Sequence, residues 1–131
     1  MESHSQKELD AALQLIVSTI NNCEKMQLKF SEGTSQHSLL KNRIKALYIS
    51  KALIENDNNK GMYTDIDLSK ALPPVQSIIS KTEKAQNKYD KETIQYRRFA
   101  PIISAMYISK DFIEDEILNR TQETHIDFSS N

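Results

Sequence analysis

Sliding the chain against itself by 59 residues lays residues 9–57 on 68–116 without a gap, and 19 of the 49 aligned positions are identical. Unrelated stretches of this length would match at about three, so the offset marks a repeated structural unit. The segment YISKALIE at 48–55 falls on YISKDFIE at 107–114. Glu24, Lys25, Gln27 and Lys29 fall on Glu83, Lys84, Gln86 and Lys88. Polar matches in register are more than two amphipathic segments of similar composition would produce.

Each unit reads as two helices. Leu9, Leu13, Ile16, Ile20, Cys23, Gln27 and Phe30 follow the 4-3-4-3 spacing of one helical seam, mirrored by Leu68, Leu72, Val75, Ile79, Thr82, Gln86 and Tyr89. Ser31-Glu32-Gly33-Thr34 breaks the period, with Thr34 or Ser35 as an N-cap. Leu40, Ile44, Leu47 and Ile54 restart it, mirrored by Phe99, Ile103, Met106 and Ile113. The spacing predicts helices near 6–30, 35–57, 67–89 and 92–119. Pro73 and Pro74 should kink or start the third helix, and Pro101 should bend the fourth. Thr64-x-x-Asp67 has the form of an N-terminal cap.

Neither hairpin can bury its apolar face alone. The expectation is therefore an all-α single domain, an antiparallel four-helix bundle of two tandem-duplicated hairpins. Its parts are a hairpin over about 6–57, a linker at 58–66, a second hairpin over about 67–119 and a frayed tail at 120–131. Two glycines in 131 residues leave few of the turns an all-β chain needs.

Helices two and four carry more apolar surface than one seam requires. Opposite the first stripe lie Ala46, Ile49 and Leu53, repeated as Ala105, Ile108 and Phe112. Either these helices are central and covered on two sides, or Ile49, Leu53, Ile108 and Phe112 form an interface for a partner or a second copy. Tyr48, Lys51, Tyr107 and Lys110 lie beside this surface as a candidate pocket edge suited to an anion. Snorkelling lysine stems are the simpler account of them.

Residues for catalysis are scarce. The three histidines are scattered at 4, 37 and 125, and no metal-binding, phosphate-loop or nucleophile motif occurs. Asn56 to Asp67 imitates a calcium loop but places Lys60 at a ligand position, which repels the ion. No catalytic residue, metal or cofactor is expected. Cys23 is the only cysteine, in keeping with a reducing compartment.

Seventeen Lys and Arg against eighteen Asp and Glu leave a net charge of −1, without a global field to attract nucleic acid or anionic lipid. Small basic clusters at Lys41, Arg43 and Lys45 and at Arg97 and Arg98 read as a solvated face. With neither a leader-like start nor an apolar run of membrane-spanning length, the chain reads as cytoplasmic. The expected function is a non-enzymatic interaction module of adaptor, immunity or accessory type. It would bind a protein partner or form a homodimer, with no nucleic acid and no membrane. The alternative is a small ligand-binding or phosphotransfer signalling bundle that uses His37.

Overall fold

The computed structural model describes residues 3–129, with side chains as far as residue 122, and the described residues contain helices and turns without a strand. Four long helices make up most of the fold: α1 (Gln6–Gln27), α2 (Ser35–Glu55), α3 (Asp65–Gln86) and α5 (Ala100–Ser129). A five-residue α4 (Ile94–Arg98) precedes α5, and a 3-10 turn (Asn58–Met62) fills the linker between α2 and α3.

Side-chain caps start the helices where the sequence places them. The Ser5 hydroxyl accepts from the Glu8 amide while the Glu8 carboxylate accepts from the Ser5 amide. Thr64 and Asp67 form the same reciprocal box on α3. Thr34 caps α2 and Thr93 caps α4. Such caps satisfy N–H groups that the first helical turn leaves without partners. Asn56 closes α2 in the left-handed region, at φ 54°.

The prolines act unequally. α3 runs through Pro73 and Pro74, starting well before them at Asp65. Neither proline can donate an N–H, so the carbonyls of Ser69 and Lys70 lose their usual i+4 donors. Near Pro101 the predicted fourth helix divides instead, with α4 ending at Arg98 and α5 starting at Ala100. The tail also differs from expectation, because α5 continues to Ser129 rather than fraying from 120. Arg120 ties α5 to the α2–α3 connection: its guanidinium donates to Glu116, to Asp65 and to the carbonyls of Tyr63 and Lys60.

One core runs through all four long helices. Ile16, Leu47, Leu68, Val75, Met106 and Ile113 are fully buried within it. α2 packs against α1, α3 and α5, and α5 packs against α1, α2 and α3. Those two helices therefore need apolar residues on more than one side. Several polar contacts recur at positions 59 apart. Gln27 and Gln86 donate to the carbonyls of His37 and Tyr96, and Tyr48 and Tyr107 donate to Glu24 and Glu83. Ser50 and Ser109, both fully buried, donate to the carbonyls of Ala46 and Ala105 one turn back.

Candidate functional site

A half-open groove of about 670 Å³ lies between α2 and α3, within the volume range of ligand sites. Its walls run from Leu39 to Ile49 on α2 and from Asp67 to Ser77 on α3, about 15 Å of each helix at 1.5 Å per residue. Ala46, Ile49 and Ala71 are buried and supply an apolar floor. Pro73 and Pro74 flank it, and their rings replace backbone donors with apolar surface.

The rim is cationic. Lys41, Arg43, Lys45 and Lys70 line it against one carboxylate, Asp67. That carboxylate is already engaged by Lys45, whose Nζ lies 2.8 Å from Oδ1. The lysine, together with the Thr64 backbone and hydroxyl, holds the Asp67 carboxyl at about 2, well below its ordinary value. Lys41 and Lys70 are exposed.

Arg43 is the least settled of the four. Its Nε and Nη2 are buried and have no hydrogen-bond partner. These two nitrogens form the side-on fork with which a guanidinium grips a carboxylate. The side chain lies by Cys23 of α1, where burial pushes the thiol up and the arginine's charge pulls it down. Buried donors without acceptors cost roughly 1–3 kcal/mol. The position 59 residues on is Ile102, which packs against the core without that cost.

The residues singled out from the sequence fall elsewhere in part. Ile49, Leu53 and Ile108 are buried inside the chain and Phe112 is half-buried against the same core, the arrangement in which α2 and α5 are covered on two sides. Sequence periodicity shows that a helix has two apolar faces but not which neighbour covers each. Ile49 alone of the four reaches the groove.

Tyr48, Lys51, Tyr107 and Lys110 do not line the groove. Tyr48 and Tyr107 are 41% and 42% exposed, each tied to a glutamate of the preceding long helix. Burial and Glu24 raise the Tyr48 hydroxyl, and the Glu83 hydrogen bond raises that of Tyr107. Lys51 donates to Glu55 and is pushed up by it. His37 is half-buried near the start of α2 and lies outside the groove; its amide donates to Thr34 and its carbonyl accepts from Gln27.

The sequence reading missed the α3 wall of the groove. The signal available was diffuse: Lys41, Arg43 and Lys45 face Ala100, Ile102 and Ser104 in the 59-residue alignment, and Pro73 and Pro74 face Gln14 and Leu15. These five lie on the groove, but they are among 30 aligned positions that differ between the copies.

Among the described residues, no three His, Cys, Asp or Glu side chains converge to hold a metal ion, and no helix is long and apolar enough to cross a membrane. Comparison with known proteins gave no match to any family model, curated protein or solved structure.

Proposed function

We propose that the chain is a duplicated helical hairpin folded as an antiparallel four-helix bundle, and that it works without catalysis as a cytoplasmic protein-interaction module. The duplication is supported by the hydrogen bonds that recur 59 residues apart, including the caps at Ser5 and Thr64, which lie outside the aligned sequence. The interaction reading is carried by the groove between α2 and α3, an apolar floor under a cationic rim in a chain of net charge −1. Apolar floor gives affinity and charged rim gives partner choice and encounter rate.

The test is retention of a partner from native lysate by the wild type and by a Lys41→Glu, Lys70→Glu variant, followed by calorimetry with the purified partner. A stoichiometric partner bound by the wild type supports the module reading. Loss of binding in the variant places the partner on the groove. Absence of any stoichiometric partner, or turnover of a substrate abolished by His37→Ala, would overturn it.

A further inference from the structure

We infer that the α2–α3 groove takes an acidic amphipathic helix from the protein partner, an inference that rests on the interaction reading above. The incoming helix would set its apolar face on Leu39, Pro73 and Pro74, above the buried Ala46, Ile49 and Ala71, and its carboxylates on Lys41, Arg43 and Lys70.

The shape of the groove favours a helix. Its walls are two helices about 15 Å long, which match roughly three turns of a third helix. Helix-in-groove recognition needs an apolar strip with polar flanks, as this surface provides. Both walls belong to helices, so there is no strand edge for an extended peptide to join. No aromatic side chain lines the groove, which leaves no platform for stacking bases.

Charge selects an acidic partner. With Lys45 bound to Asp67, the cations of Lys41, Lys70 and Arg43 have no carboxylate of the groove to neutralise them. Arg43 adds a second pointer, because its carboxylate-gripping fork is buried with no oxygen acceptor, beside only the Cys23 thiol. A glutamate or aspartate presented from the groove would supply one as the guanidinium turns outward from Cys23. The second hairpin carries Ala100, Ile102 and Ser104 at the corresponding positions, so the folding of a hairpin does not itself require these cations.

The test is fluorescence anisotropy with a labelled helical peptide of about 14 residues, leucine on one face and glutamate on the flanks. The wild type should bind it and the lysine-flanked analogue should not compete. Lys41→Glu, Lys70→Glu should weaken binding at least tenfold, whereas the matched charge change Lys7→Glu, Lys29→Glu should leave it within about twofold. Arg43→Ile should also weaken it while the circular dichroism stays helical. Raising salt from about 0.05 M to about 0.5 M should loosen the complex by shortening the screening length.

Equal binding by the groove and control variants would overturn the inference, as would no binding. Binding of citrate alone, with no peptide bound, would assign the groove to a small polyanion and would also overturn it. A native partner that survives Lys41→Glu, Lys70→Glu would preserve the module reading while removing the acidic helix from this groove.

Discussion

Lys45 Nζ stands 2.8 Å from Asp67 Oδ1, so one ion pair joins the middle of α2 to the capping box that starts α3. The carboxylate does two tasks there: it accepts from the Thr64 amide to close the cap, and it balances one cation of the groove. Its folded-state value of about 2 lies below the ordinary 3.8, so the unfolded chain binds this proton more readily. The resulting stability is fully present above about pH 4 and disappears as pH falls through about 2. Urea midpoints at pH 7 should separate the wild type from Asp67→Asn, and the gap should narrow at pH 2.5. A constant gap across that range would mean that the carboxylate's charge contributes nothing.

Arg43→Ile should stabilise the protein. The substitution removes two buried donors that lack acceptors and installs the side chain found at the matching position, Ile102. A gain of roughly 1–2 kcal/mol is expected, a rise of a few degrees in Tm for a domain of this size. A variant less stable than the wild type would show that Arg43 serves the fold and not a partner.

Leu47 and Met106 lie 59 residues apart, and both are fully buried. Leu47→Ala and Met106→Ala should each cost about 2–5 kcal/mol by chemical denaturation. If the hairpins are equivalent, the two costs should agree within about 1 kcal/mol, the usual spread for similar environments. A large cost at one site and a small one at the other would break that equivalence.

Arg120 links α5 to the α2–α3 connection through two carbonyls and two carboxylates. Arg120→Ala should cost about 1–3 kcal/mol and speed amide hydrogen exchange over residues 58–65. Arg120→Lys should restore only part of the protection, since an ammonium cannot reproduce the planar fork. Unchanged exchange in both variants would show that the connection holds without this side chain.

The helices and caps were largely legible because they depend on local chemistry. Thr34, Thr64 and the apolar seams announce themselves within a few residues. The partition of α2 was not legible, since Ile49 and Leu53 look the same from sequence whether covered by a neighbouring helix or by another molecule. The tie from Arg120 to the carbonyls of Lys60 and Tyr63 was not legible either, because a long-range contact leaves no periodic trace. The groove arises where Lys41 and Arg43 on α2 meet Lys70 and Pro73 on α3, so the packing of two helices was needed to see it.

The most direct measurement is the amide chemical-shift map of the isotopically labelled wild type on titration with the acidic amphipathic peptide. The largest changes should fall on residues 39–49 of α2 and 67–77 of α3, with the Arg43 side-chain Nε–H shifting as it gains a carboxylate partner. Changes centred on α1 or α5, or an Arg43 resonance unmoved at saturation, would contradict docking in the groove.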